Sequence, residues 1–148
     1  KWPKIGEVSI PLGQAKIIKE GLDATLVTYG RHALMSKKVA EQLEKEGHSV
    51  EVIDLRTLYP YDWQTVKKSV AKTGRVLFVN EDTEVTNFAE HLVYRCTQEL
   101  FYELMARPRV LAGKNLPGIG LHPNLEEASV PQESDIRFEI EELLKEKP

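Results

Sequence analysis

The chain has 148 residues, 41% hydrophobic and 29% charged, a composition that suits one globular domain with a real core. A formal net charge of -3 without a long basic run leaves nothing to neutralise a phosphate backbone, so no nucleic acid is expected as a partner. No apolar run approaches the ~20 residues of a membrane span, and the single cysteine, Cys96, permits neither an internal disulfide nor a thiolate zinc site, which points to a reducing compartment.

Lys1 to Gly13 carries two prolines and two glycines and reads as an extended lead-in, the end of a linker, before a domain over 14–148. The start at Lys1, without a methionine, suggests an excised or processed piece. Gln14 to Lys19 is a short strand, and Glu20 to Asp23 a turn that feeds back toward the next one. The two lie too close in sequence for a helical crossover, so this first strand is expected to join the sheet antiparallel.

From Asp23 to Arg56 the sequence reads as one complete strand, helix, strand unit, and this unit sets the fold class. Ala24 to Tyr29 and Val50 to Leu55 are short runs rich in β-branched and apolar residues. Between them Met35, Val39 and Leu43 recur every four residues, with Ala40 beside them and Lys37, Lys38, Glu41, Glu44 and Lys45 opposite, the pattern of an amphipathic helix. Gly47 is placed to close that helix. Strands joined in this way are parallel, with a right-handed crossover.

Thr57 to Tyr61 turns at Pro60, and Asp62 stands as N-cap to a second helix bearing Trp63, Val66 and Val70, closed by Gly74. Arg75 to Asn80 has almost no polar alternation, as expected of a third parallel strand covered on both faces, and Glu81 to Thr86 is a loop. A longer helix is expected from Asn87 to Met105, carrying Phe88, Leu92, Cys96, Leu100 and Leu104. Pro108 to Ala112 is a last strand. Gly113 to Pro131, rich in glycine and proline, predicts no regular element. A terminal helix opened by Pro131, Ser134 or Asp135 turns Ile136, Ile140, Leu143 and Leu144 inward and leaves Glu139, Glu141, Glu142, Lys145 and Glu146 in water. The sum is five strands with helices on both faces.

In an open parallel sheet ligands bind where strands end and helices start, here Tyr29 to His32, Arg56 to Asp62 and Asn80 to Asn87. Arg31 and His32, beside Gly30, are a candidate anion site, although the stretch lacks either glycine-rich phosphate pattern and a histidine at an exposed helix start is also simply solvated. Glu81, Asp82 and Glu84 form an acidic patch, open to a cation, a basic partner or plain hydration. His48, His91 and His122 are scattered, and spacing assembles no nucleophile and base. Cys96, on an apolar stripe, reads as a buried structural thiol. With no catalytic residue, metal ligand or cofactor site in view, the domain reads as an assembly or docking module. Its candidate interface is the broad apolar face of the third helix, with Phe88, Leu92 and Cys96.

The stretch VTYGRHALMSKKVAEQLEKEGHSVEVIDLRTLYPYD resembles the carboxyl-terminal, transketolase-type domain of the β subunit of thiamine-diphosphate-dependent 2-oxoacid dehydrogenases, a group that includes the pyruvate and branched-chain enzymes. The signature is Tyr29 and Gly30 of V-T-Y-G with Asp54, Leu55, Arg56, Thr57, Leu58, Pro60 and Asp62 of D-L-R-T-L-x-P-x-D. Similarity runs from IPLG at Ile10 through KTGRVLFVNED to LEEASVPQ, essentially the whole chain. The resemblance implies a three-layer αβα sandwich on a mixed five-stranded sheet, mostly parallel with the first strand antiparallel. It also implies that this domain binds no cofactor, thiamine diphosphate and magnesium lying between other domains of the complete enzyme, which decarboxylates a 2-oxoacid and acylates lipoyl-lysine. Expected partners are other domains or subunits of the dehydrogenase, a second copy of the chain, and the peripheral-subunit-binding domain of the acyltransferase, in a bacterial cytoplasm or a mitochondrial matrix.

Two stretches depart from the family pattern. Thr86, Asn87, Phe88, Ala89 and Glu90 replace a glycine-rich G-G-F-G-A-E, and Gly113 to Ile119 replaces G-x-D-x-P-x-P. Met105 falls where some relatives offer an aspartate to the acyltransferase, so docking by that ion pair is not supported. A divergent branch, with α- and β-type regions fused in one chain, would fit. The alternatives are a free-standing small-anion or nucleotide binder using Gly30, Arg31 and His32, and the C-terminal domain of a transketolase-type sugar-phosphate enzyme, whose corresponding segments usually lack the D-L-R-T-L form.

Overall fold

A computed structural model describes residues 9–147, so most of the lead-in expected over 1–13 lies outside the described residues. The elements are β1 (Lys16–Lys19), β2 (Ala24–Thr28), α1 (Arg31–Lys45), β3 (Val50–Asp54), α2 (Trp63–Thr73), β4 (Val76–Thr83), α3 (Phe88–Glu99), β5 (Arg109–Gly113), α4 (Pro123–Ser129) and α5 (Glu133–Lys145). The strands form one sheet in the order β1-β3-β2-β4-β5. β1 is antiparallel to β3, and the other pairings are parallel. The expected mixed five-stranded sheet is therefore present. The turn after β1 returns the chain to β2, yet β1 pairs with β3 rather than with its sequence neighbour.

Successive strand residues point to opposite faces, and the core divides accordingly. Ala24, Leu26, Val50 and Val52 join Val39, Ala40 and Leu43 of α1 and Ile136, Ile140 and Leu143 of α5. Val27, Ile53, Val76 and Phe78 join Trp63, Val66 and Val70 of α2 and Leu92, Cys96 and Leu100 of α3 on the other side. Helices α1 and α5 thus cover one face and α2 and α3 the other, the three-layer sandwich. On the α2 face Thr25 Oγ1 hydrogen-bonds with Ser69 Oγ at 2.7 Å and Thr73 Oγ1 at 2.8 Å, so this buried hydroxyl finds partners, whereas Thr28 Oγ1 at the end of the same strand has none. Gly74 closes α2 in the left-handed conformation, φ 67°, as the sequence predicts.

Four details differ from the sequence-based expectation. β4 runs on to Thr83, because pairing with β5 resumes at Thr83 and Gly113 after a register irregularity. α3 stops at Glu99 rather than Met105: Leu100 turns into the core, a single tight turn follows at Phe101–Glu103, and Met105 N donates to Gly74 O at 2.7 Å. α4 forms inside the expected loop. Pro123 stands at its start, where the missing N–H costs nothing, and His122 Nδ1 accepts from Asn124 N. In α5 the expected inward face is present and a Gln132–Asp135 capping box opens the helix, but Glu139 and Glu146 both reach Arg109 of β5 instead of standing alone in water.

Candidate functional site

The signature residues gather at the carboxyl edge of the sheet, after β3. Asp54 Oδ1 accepts from Arg56 N at 3.0 Å, and Leu55 N donates to Thr28 O of β2 while its side chain enters the core. Arg56 adopts φ 61°, a left-handed conformation unusual for a residue with a side chain. Thr57 Oγ1 donates to Pro60 O at 2.7 Å and accepts from Gly13 N at 3.0 Å. The Tyr59–Pro60 peptide bond is cis, and Leu58 and Tyr59 face outward, Tyr59 being 97% exposed. Asp62 Oδ1 caps α2 through Thr65 N at 3.1 Å, and Oδ2 accepts from Thr65 Oγ1 at 2.8 Å and Ala15 N at 3.1 Å. Burial pushes the Asp62 carboxyl up, but its hydrogen bonds from Thr65 and Ala15 win, and its pKa lies below the ordinary value. The loop thus grips the backbone of the incoming segment at two places just before β1.

A second set of contacts fastens this loop to α3. The Tyr61 ring meets Phe88 edge-on, centroids 5.1 Å apart. Arg95 Nη1 donates to Tyr61 Oη at 2.8 Å, and Tyr61 Oη lies 2.7 Å from His91 Nε2. A guanidinium only donates, so the phenol oxygen accepts from Arg95 and shares a second hydrogen bond with His91 Nε2. Arg95 also stacks over Trp63 at 4.3 Å. Glu99, which accepts from Trp63 Nε1, Arg95 and Lys67, is held down to about 2 by those bonds. None of the contacts from Tyr61 to α3 had a local sequence signal. The four-residue spacing of Arg95 and Glu99 is the one legible pair.

The end of β2 is built differently, and the candidate anion site is not assembled there. Gly30 has φ 62° and ψ -136°, a conformation open essentially to glycine alone, and passes the chain directly into α1. Arg31 pairs with Glu126 of α4 at 2.7 Å. His32 is 1% exposed, and its Nε2 bonds Pro131 O at 3.0 Å, so it sits inside the domain rather than solvated at a helix start. Tyr29 is half-buried, and its hydroxyl pKa is raised by burial first, then by Asp82 and Glu81. Among the described residues no group of histidine, cysteine, aspartate or glutamate is arranged to hold a metal ion.

The candidate interface on α3 also requires correction. Leu92 and Cys96 are 2% and 0% exposed because the helical stripe that carries them packs on the sheet, and Phe88 is partly covered by Tyr61. The outward side of α3 presents Tyr94 instead. Burial pushes the Cys96 thiol up to about 12, consistent with an inert structural cysteine.

Known proteins share both the sequence and the fold. Residues 13–136 match the family described as transketolase, C-terminal domain. The 2-oxoisovalerate dehydrogenase subunit beta of Bacillus subtilis is 33% identical over 134 residues, which cover 90% of this chain and 41% of that protein. The pyruvate dehydrogenase E1 component subunit beta of Rhizobium meliloti is 37% identical over 134 residues, covering 90% of this chain and 29% of that one. A solved split-gene transketolase, described as an inactive beta4 tetramer, superposes with a TM-score of 0.82 at 22% identity, over 95% of this chain and 45% of its own, a likeness of fold alone. The chain spans less than half the length of each.

Proposed function

The chain belongs to the transketolase C-terminal domain family, on the branch of the 2-oxoacid dehydrogenase β subunits, and we propose on that premise that it serves as an assembly and docking domain of the decarboxylating component of such a complex. In this reading residues 1–13 are linker and 14–148 the domain. The parent enzyme decarboxylates a 2-oxoacid and acylates lipoyl-lysine, with thiamine diphosphate supplying the carbanion chemistry. The partners are the enzyme's other domains or subunits, a second copy of the chain, and the peripheral-subunit-binding domain of the acyltransferase. The setting is a bacterial cytoplasm or a mitochondrial matrix.

The observation that carries this reading is the use made of the signature. Thr57 and Asp62 hold the incoming backbone at Gly13 and Ala15, and Asp54, Leu55 and Pro60 shape the loop that does so. Those residues build a rigid junction at the head of the domain. The polar groups at the end of β2 do not fit a diphosphate cradle, since Arg31 is turned to Glu126 and His32 to Pro131. In this reading thiamine diphosphate and magnesium lie between other parts of the enzyme, which the engagement of Arg31 and His32 within the domain supports.

Sedimentation equilibrium of the chain, alone and with a peripheral-subunit-binding domain, tests the proposal. Self-association or a defined complex is the expected outcome. A monomer that ignores that partner would overturn the assembly role, as would thiamine-dependent decarboxylation of a 2-oxoacid by this chain without any other subunit.

A further inference from the structure

The two edges of the sheet are finished differently. β1 carries the exposed Lys16 and, reaching back to Glu44, Lys19, and its four-residue pairing with β3 is irregular in its middle, between Ile17 and Lys19. Charge and irregularity are the devices by which proteins discourage a further strand. β5 reads Arg-Val-Leu-Ala-Gly, without lysine or proline, and its one charge is turned into its own chain, where Arg109 bonds Glu139 and Glu146. Among the described residues only β4 pairs with it, in regular register over Arg109–Leu111 and with a shift only before Gly113.

Beside this open edge lies a groove of about 520 Å³, with Leu111 and Ala112 on one bank, Ser134 and Phe138 of α5 on the other, and Ser129 to Pro131 between. Phe138 is 59% exposed on a helix whose Ile136, Ile140 and Leu143 are fully buried, so its ring projects toward the groove side of α5 instead of the core. The charged groups lining the groove are Lys114, Glu127, Asp135 and Glu139; with Glu139 taken up by Arg109, Glu127 and Asp135 stand against Lys114, a small acidic excess. A second copy of the chain paired edge to edge would bring that acidic rim against itself, which opposes association. A basic strand would meet complementary charge.

We propose that β5 is a strand-addition edge: an extended, basic peptide segment of a partner protein pairs with Arg109–Ala112, places an apolar side chain beside Phe138, and sets lysine or arginine against Glu127 and Asp135. Backbone hydrogen bonds along the edge supply affinity, and alternate side chains entering the groove supply selection. This inference rests on the sheet edge and its groove alone and stands or falls independently of the assembly reading.

The test is a titration of the isotopically labelled chain with a blocked hexapeptide in which lysine alternates with valine or phenylalanine, read out by backbone amide shifts. The expected result is a set of shifts confined to Arg109–Lys114 and to the Ser134–Glu139 face of α5. Phe138→Ala, at an exposed position the core does not need, weakens binding about tenfold, as for an aromatic anchor. Glu127→Lys weakens it by roughly threefold at low salt, an effect that added salt removes. No shifts at millimolar peptide, shifts elsewhere on the domain, or equal binding of a peptide with glutamate in place of lysine would overturn the proposal. A concentration-dependent dimer abolished by Phe138→Ala would overturn the peptide occupant in favour of a second copy.

Discussion

β2 and β3 end side by side, with Thr28 in register with Asp54, yet the two strands lead into segments of opposite kind. After β3 the polar atoms of the loop are engaged several at a time with other parts of the chain: the incoming segment through Thr57 and Asp62, α2 through Thr65, and α3 through Tyr61. After β2 only Tyr29 and Gly30 precede a helix, and Arg31 and His32 each make one tie to the α4–α5 region. The first arrangement is a staple with many legs and the second a pair of separate threads. A family signature can therefore mark a joint as well as a ligand site, and the difference is visible only in where the hydrogen bonds go.

The comparison is tested most severely at Asp62. Asp62→Ala removes a helix cap, for about 1 kcal/mol, and leaves the Ala15 amide without its charged acceptor, for roughly a further 1–2 kcal/mol. The expected loss is about 2–3 kcal/mol in urea denaturation at neutral pH, with early proteolytic cleavage in the segment before β1. Because the Asp62 pKa is lowered in the folded state, its stabilisation is fully present above the unfolded value, about 3.9, and fades as pH falls through the folded one. Asp62→Asn keeps a competent cap but loses the charge, so its deficit relative to the parent chain should be present at pH 7 and shrink toward zero in strong acid. A deficit independent of pH would mean the carboxylate is not what holds Ala15.

His32 sharpens the contrast from the other side. His32→Ala deletes a fully buried ring and its bond to Pro131 O, with an expected cost of about 2 kcal/mol from cavity and lost hydrogen bond together. Loosening should appear as faster amide exchange around Pro131 and the start of α5, with the junction at Gly13 and Ala15 unchanged. If exchange at Gly13 also rose, the two strand ends would be one coupled unit and the distinction between staple and threads would fail.

How far the sequence carries this picture depends on range. The two core faces are legible because Met35, Val39 and Leu43 repeat at helical spacing and β2 to β4 are short apolar runs, and Asp62 and Gly74 are legible as caps because capping is local. The staple is not, since Gly13 and Thr57 lie 44 residues apart and Ala15 and Asp62 47. His32 reads as an exposed helix start because its partner, Pro131, is 99 residues away. α4 is hidden by a glycine and proline count that does not distinguish Pro123 at a helix start from a proline that breaks one. Leu92 and Cys96 lie on the apolar stripe read as a candidate interface, although Cys96 also reads as a buried thiol, and the packing of α3 on the sheet puts both in the core.

The smallest expected effect is at Arg31. Its pair with Glu126 joins two side chains that are each roughly half exposed, and such pairs contribute about 0–1 kcal/mol, so Arg31→Ala should shift the denaturation midpoint barely at all. The same variant addresses the β2 end as an anion site. With Glu126 on the guanidinium, phosphate or a nucleotide must displace a carboxylate before it can bind, and His32, buried with its Nε2 on Pro131 O, is out of reach of it. Neither anion should raise the melting temperature of the parent chain or of Arg31→Ala. A rise seen in the parent and lost in the variant would mean that Glu126 yields to a ligand, and the thread after β2 would have to be read as a latched binding site.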